Sequence, residues 1–275
     1  MEIDGVKFKI GADPELFLKD TRTGRMVGAH GKVQGTKEFP HKLKYGNVQV
    51  DGMAMEFNTK PVSDPRFFGV GVQALVKEID SKFLKPNHLQ AVITPTVEFD
   101  EEEWSSMPYE AKELGCNADF NAWSGEMNPT PNAKVSFRSG AGHIHIGWGT
   151  DLEQSQDFFE ACRPVIRECD ATLGVMTILY DDDTRRRELY GKAGSFRTKS
   201  YGVEYRPPSN KWVVSGKLQS YVVGLINVAL QNAMANRFTN SYEVEDIVNN
   251  NDVDEALMWA KHHNLPLPPD EHRVY

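Results

Sequence analysis

Gly142-His143-Ile144-His145-Ile146-Gly147 alternates imidazole and aliphatic side chains without a break. Successive side chains of a strand point to opposite faces. An extended run therefore puts His143 and His145 on one face and Ile144 and Ile146 on the other. That pattern fits an antiparallel sheet whose apolar face packs on a core while its polar face is free to build a site. Two imidazoles on a rigid strand can hold a divalent metal or clamp a phosphate. The flanking glycines let backbone or ligand approach closely.

Three other segments aim polar groups in the same way. In Gly11-Ala12-Asp13-Pro14-Glu15-Leu16, Asp13 and Glu15 are two apart, so extended backbone points both to one side. Pro14 favours extended structure at Asp13, although Asp-Pro also signals a turn. In Asp51-Gly52-Met53-Ala54-Met55-Glu56-Phe57-Asn58 a turn leads into a strand with Glu56 and Asn58 on one face and Met55 and Phe57 on the other. A carboxylate buried in such a strand needs a metal or a basic partner, whereas on an edge it simply meets water. Glu204 and Arg206 share a face of Tyr201-Gly202-Val203-Glu204-Tyr205-Arg206, opposite Val203 and Tyr205. Just upstream, Gly191 and Gly194 lie among Lys192, Arg197 and Lys199 and predict a flexible cationic loop suited to phosphate. Together these segments offer Glu15, Glu56, His143, His145 and Glu204 as ligands for a hard cation, Mg²⁺ or Mn²⁺ rather than zinc. Arg197 and Arg206 are the anion binders. Several carboxylates beside several cations is what phosphoryl transfer from a metal nucleotide requires.

The bulk composition narrows the field. The chain has 275 residues, 40% hydrophobic and 25% charged, and a net charge of -8. A large core is within reach at that length. Nucleic-acid affinity rests on Lys and Arg neutralising phosphates, and the densest basic cluster, Arg185-Arg186-Arg187, directly follows Asp181-Asp182-Asp183. No direct nucleic-acid binding is expected. Three cysteines at wide spacing, Cys116, Cys162 and Cys169, make no disulfide framework or zinc pair. The latter two read as small buried residues on one helix face. Met1-Glu2-Ile3-Asp4 opens no apolar run, and no stretch reaches the ~20 residues of a membrane span, so a reducing cytoplasm is the expected compartment.

Apolar stripes predict helices over residues 64–83, capped by Asp64 and Pro65, and over residues 215–238. A long helical region begins at Asp151, kinked or split by Pro164. Two short helices follow, opened by Asn240 with Glu243 and by Asp252 with Glu255. Cys116 to Pro131 reads as a long loop, a common place for a binding element. Val135 to Arg138 returns to strand. The fold class is α+β: a mostly antiparallel sheet with helices packed on one face and the other face free to build a site. Residues 1–238 are expected to form the main domain, and residues 239–275 short helices and an extended tail packed on it.

Gly11-Ala12-Asp13-Pro14-Glu15, Met55-Glu56-Phe57-Asn58, Gly115-Cys116-Asn117-Ala118-Asp119-Phe120-Asn121, Gly142-His143-Ile144-His145-Ile146-Gly147, and Gly194-Ser195-Phe196-Arg197 through Gly202-Val203-Glu204-Tyr205-Arg206 occur in this order. The series, over residues 8–235, resembles the phage-type carboxylate–amine ligases, the COOH–NH2 ligase type 2 group or amidoligases. That group is similar to glutamine synthetase and glutamate–cysteine ligase in its core. The resemblance implies a curved, glutamine synthetase-like antiparallel sheet with metals on the concave face and helices packed on the convex face, a catalytic domain over residues 1–238, and ATP and Mg²⁺ (or Mn²⁺) as cofactors. It implies an acyl phosphate displaced by an amine. The matching positions give Glu15, Glu56, His143 and Glu204 as metal ligands, with His145 on metal or phosphate. Arg197 and Arg206 would hold the transferring phosphate, with Lys192 and Lys199 beside the nucleotide. Trp148 is a candidate to stack on adenine and Asp119 to hold the incoming amine. Glutamine synthetase carries Glu-x-Glu on its first strand where this chain has Asp13-Pro14-Glu15, which leaves the role of Asp13 open.

The expected partners are a carboxylate and an amine, each a small molecule, a peptide or a protein side chain, with no membrane; an oligomer is left open. The competing reading is a metal-dependent hydrolase of amides or phosphate esters that uses the same cluster to activate water. A non-catalytic binding protein would have no use for so many polar residues on strand faces.

Overall fold

A computed structural model describes residues 1–112, 119–129, 137–239 and 241–275. The strands, in order, are β1 (Glu2–Ile3), β2 (Val6–Lys7), β3 (Lys9–Ala12), β4 (Glu15–Asp20), β5 (Met26–Val27), β6 (His41–Lys42), β7 (Gly46–Asp51), β8 (Ala54–Thr59), β9 (Leu89–Val92), β10 (Thr96–Glu98), β11 (Phe120–Asn121), β12 (Phe137–Ser139), β13 (Ile144–Gly147), β14 (Ser195–Lys199) and β15 (Gly202–Tyr205). Every pairing among the described residues is antiparallel. Five strands run in the order β11-β14-β15-β13-β3, and a second sheet runs β5-β4-β8-β7-β6 with β9 also on β4.

Asp13-Pro14 is where one sheet passes into the other. The chain leaves β3, which pairs with β13, and enters β4, which pairs with β8. Proline has no N–H to give a ladder, so it fits such a break; its carbonyl instead accepts from Phe57 N–H at 3.2 Å. The free edge of β3 rests on the end of β8: Ala12 N–H donates to Thr59 Oγ1 at 2.8 Å, and Ile10 pairs with Val62. The result is one curled, antiparallel half-barrel surface.

The helices are α1 (Arg66–Ile79), α2 (Glu101–Ser106), α3 (Tyr109–Lys112), α4 (Gln156–Cys169), α5 (Val175–Thr177), α6 (Arg185–Leu189), α7 (Gly216–Met234), α8 (Glu243–Asn250) and α9 (Val253–His262). The predicted stripes bury as expected: Phe68, Val72, Leu75 and Ile79 on α1, and Leu218, Val222, Leu225, Ile226 and Ala229 on α7. Each such side chain contributes roughly 1.5–3 kcal/mol if fully buried. Cys162 and Cys169 are buried free thiols, while Cys116, Val135 and Asn240 lie outside the described residues.

Three details differ from expectation. Helix α4 starts at Gln156, where Ser155 Oγ accepts from Phe158 N–H at 3.2 Å, and it runs through Pro164 without ending. Its interruption comes later, as a π-helical turn at Asp170–Gly174. Helix α7 spans Gly216–Met234, shorter at its C-terminal end than predicted, because Asn236 turns left-handed at φ 51. The segment Asp119–Asn128 is not an open loop. Asn128 N–H donates to the Asp119 carbonyl, and Asn121 N–H to that of Glu126, both at 2.8 Å. Arg163 and Arg167 clamp the Ala122 and Trp123 carbonyls behind it.

Candidate active site

Strand register assembles the polar face row by row. Arg197 stands opposite Glu204, Glu204 opposite His145, and His145 opposite Gly11. Two residues along lie Arg206, His143 and Asp13, where Arg206 N–H bonds the Ser195 carbonyl and Asp13 N–H the His143 carbonyl. The intervening row, Phe196, Tyr205 and Ile144, belongs to the hydrophobic core with Cys162 and Ile166 of α4. The alternation seen in the sequence thus separates core from site. Gly142 is required by space: a Cβ there would run into the Ser209 carbonyl and the Trp212 indole nitrogen.

Asp13, left without a role by its sequence, is central. Its Oδ2 lies 3.0 Å from His145 Nε2 and its Oδ1 3.3 Å from His143 Nδ1. Ligand atoms of Asp13, His145 and Glu204 all fall within 4.8 Å of one another. Asp13 Oδ1 and His145 Nε2 are nevertheless buried without a directed hydrogen bond among the described residues. Tyr201 OH holds the other ring nitrogen, Nδ1. Converging buried donor atoms of this kind fit a cation between them. His143, by contrast, faces Arg206, with Nδ1 3.5 Å from Nη1.

Glu204 gathers cations. Arg206 Nη1 and Lys199 Nζ bond it, and Arg197 Nη1 is 3.6 Å away. Arg206 Nε also donates to Asp119 Oδ2 at 2.9 Å. Burial would raise both the Asp13 and Glu204 carboxyls. The His145 and His143 rings outweigh it for Asp13, and His143 with Arg206 and Lys199 outweigh both burial and Asp13 for Glu204, so both sit below the usual range.

The second cluster, Glu15, Asp51 and Glu56, has the opposite electrostatics. Glu15 and Glu56 face each other across the β4–β8 pair, and Asp51 closes the β7–β8 hairpin. Gln49 Nε2 and Asn58 Nδ2 donate to Glu56 Oε1 at 3.0 and 3.2 Å, and Ala141 N–H donates to Glu15 Oε2 at 3.0 Å. Lys37 reaches Asp51 from outside, at 2.8 Å. Burial, then the Asp51 charge, pushes Glu15 up to about 7. Burial, then Asp13 and Asp51, raises Glu56 well above its ordinary value. All-oxygen donors and excess negative charge fit Mg²⁺ or Mn²⁺.

A pH dependence follows from those directions. With carboxyl pKa values raised in the folded state, that state holds more protons than the unfolded chain between roughly pH 4.5 and pH 7, so stability falls as pH rises through that window. The depressed Asp13 and Glu204 act below it. A divalent cation bound there would replace the lost protons. Mg²⁺ is expected to raise the melting temperature more at about pH 8 than at about pH 5.5. Thermal melts with and without millimolar Mg²⁺ check this, and an equal shift at both values would contradict it.

Two cavities flank the clusters. One, of about 80 Å³, lies beside Glu15, Asp51 and His143 and is walled by Arg138, Arg186 and Arg206. The other, of about 510 Å³, is lined by Lys7, Lys9, Pro61, His145, Trp148 and Tyr201. Glu15, Glu56, His143, His145, Arg197, Lys199, Glu204, Arg206, Asp119 and Trp148 therefore all lie on or beside this surface. Lys192 does not: it is exposed and lines none of the described cavities. The sequence reading also missed Asp51, seen only as a turn residue, and Tyr201 and Arg186.

Residues 130–262 match the family described as Phage phiEco32-like COOH.NH2 ligase-type 2. The resemblance read from the motifs is thus shown, over a segment that starts later than residue 8 and runs into α9. The matched segment contains His143, His145, Arg197, Glu204 and Arg206; Glu15 and Glu56 lie before it. The family points to a carboxylate–amine ligase and does not favour the hydrolase. No curated protein matches the sequence. A solved structure, a bifunctional glutathione synthetase from Pasteurella multocida, is similar at a TM-score of 0.39 and 10% identity, over 94% of this chain and 45% of that one. The present chain thus spans less than half of that protein's length. Among the described residues no helix is long and apolar enough to cross a membrane.

Proposed function

We propose that this protein is an ATP- and Mg²⁺-dependent carboxylate–amine ligase that makes an amide through an acyl phosphate, on a glutamine synthetase-like core. The observation that carries this reading is the pair of clusters on one curled sheet face. Asp13, His145 and Glu204 converge beside a row of cations, and Glu15, Asp51 and Glu56 converge beside a smaller cavity. Two adjacent cation sites are suited to hold a nucleotide's phosphates against an acceptor. Bound Mg²⁺ would neutralise phosphate charge and orient the transferring group.

The residues of this chain would do the rest. Arg197, Lys199 and Arg206 sit where charge develops on the transferring phosphate, and preorganised cations of this kind lower the barrier. Glu204 holds all three in place. The 510 Å³ cleft is the nucleotide's side: its volume suits a cofactor, Trp148 and Pro61 offer apolar faces for a base, and Lys7 and Lys9 offer charge. His145, steadied by Tyr201, faces both this cleft and Asp13. Asp119, tied to Arg206, lines the smaller cavity and is placed to attract an ammonium and take its proton. The substrates are a carboxylate and an amine.

Calorimetric titration with a nonhydrolysable ATP analogue tests the reading. Micromolar binding that requires Mg²⁺ is expected. No binding in the presence of Mg²⁺, or amide hydrolysis without nucleotide, would overturn it.

A further inference from the structure

Arg186 is buried at 3% exposure, yet among the described residues it pairs with no carboxylate. Its Nη1 donates to the Pro207 carbonyl at 2.6 Å and its Nη2 to the Arg206 carbonyl at 3.2 Å. Its Nε has no hydrogen-bond partner among the described residues. A buried guanidinium is ordinarily paired, because leaving its charge uncompensated is costly. Burial, then the Arg187 charge, lowers its pKa to about 10, with Asp181 and Glu15 acting only at a distance. The side chain also walls the 80 Å³ cavity beside Glu15 and His143.

The fold invests in this arrangement. Asp183 Oδ1 caps α6 by accepting from Arg185 and Arg186 N–H at 3.0 and 3.3 Å, and Thr96 Oγ1 and Ser209 Oγ tie down Asp183 and Asp181. The acidic run before the arginines is therefore a scaffold for the helix that carries Arg186. Gly191, at φ 77, curls around the guanidinium; any Cβ there would collide with Arg186 Nη1 and crowd the Pro207 carbonyl.

We propose that Arg186 is a carboxylate-binding residue, and that its wall of the small cavity takes the compact anionic end of the acid substrate, the Asp119 wall being left to the amine. The name substrate rests on the ligase reading; the binding itself does not. One water needs roughly 10–15 Å³ of such space, so 80 Å³ admits a group of a few heavy atoms. That suits the end of a small acid or of a peptide chain. Arg186 acts as an anchor: Arg197 and Lys199 do not line this cavity, and Arg206, which does, is engaged by Glu204 and Asp119. Planar, two-point recognition of a carboxylate is what guanidinium does and ammonium does not.

Ligand-induced thermal shifts test it, with three probes: acetate, glutarate, and a short peptide ending in glutamate. Each protein is compared with its own unliganded melt. Wild type is expected to be stabilised by at least one probe. Arg186→Lys and Gly191→Ala should weaken that probe roughly 10–100-fold while Mg²⁺-dependent binding of the ATP analogue stays unchanged. Stabilisation by acetate or glutarate assigns the site to free acids, and by the peptide alone to chain ends; either supports the proposal. No stabilisation by any probe, or undiminished stabilisation in both variants, overturns it. A wild type that binds acid but no nucleotide would overturn the ligase reading and leave this one standing.

Discussion

Glu204→Gln is expected to lower ATP-dependent turnover by about 10³-fold or more, a loss of several kcal/mol in transition-state stabilisation. The substitution keeps the shape of the side chain and removes its charge. Three things then fail together. The carboxylate leaves the cation site it forms with Asp13 and His145. Arg206 and Lys199 lose the counter-ion that aims them, and Arg197 its neighbour at 3.6 Å. Mg²⁺-dependent binding of the ATP analogue should weaken alongside turnover. A purely structural role would lower the melting temperature without touching that metal dependence, so calorimetry and ADP release measured on the same sample separate the two. Full turnover in this variant would remove Glu204 from the site.

Asp170→Ala is expected to have the largest effect on stability, although Asp170 touches neither cavity. Asp170 follows Cys169 at the end of α4 and continues its buried face, four residues after Ile166. There it accepts from Trp123 Nε1 at 2.7 Å, Gly194 N–H at 2.6 Å and Tyr205 OH at 2.7 Å. Those donors sit at or beside β11, β14 and β15, so one carboxylate ties together the strands that present Arg197 and Glu204. Removing it strands three buried donors at about 1–3 kcal/mol each, in total roughly 3–6 kcal/mol after partial relaxation. For a chain of this size that is a fall of about 10 °C or more in melting temperature. A shift of less than a few degrees would show that the donors find other partners.

Much of this was legible in the residues. Strict alternation in His143–Ile146 and Val203–Arg206 decides which side chains face the core, because a strand has only two faces. The stripes of α1 and α7 follow from helical period, and Asp51-Gly52 from turn chemistry. What escaped depends on contacts distant in the sequence. Asp51 looks like a turn residue, and only the β7–β8 register brings its carboxylate to Glu56. Arg186 hides within a charged run, and its environment is built by Gly191, Arg206 and Pro207 downstream. Gly191 signals flexibility when read locally, but it is fixed against a guanidinium, and Lys192 next to it is exposed. Asp170 continues the buried face of Cys162, Ile166 and Cys169, but its donors Trp123, Gly194 and Tyr205 are distant in the sequence.

The most direct measurement is to incubate the protein with Mg²⁺-ATP and pooled amines and carboxylates, the acids labelled with oxygen-18, and to follow products and phosphate by mass. An acyl-phosphate ligase will yield a product of mass acid plus amine less water, with equimolar ADP, and will pass a labelled oxygen from the acid into phosphate. Product without ATP, or phosphate that carries no label while product forms, would contradict the account.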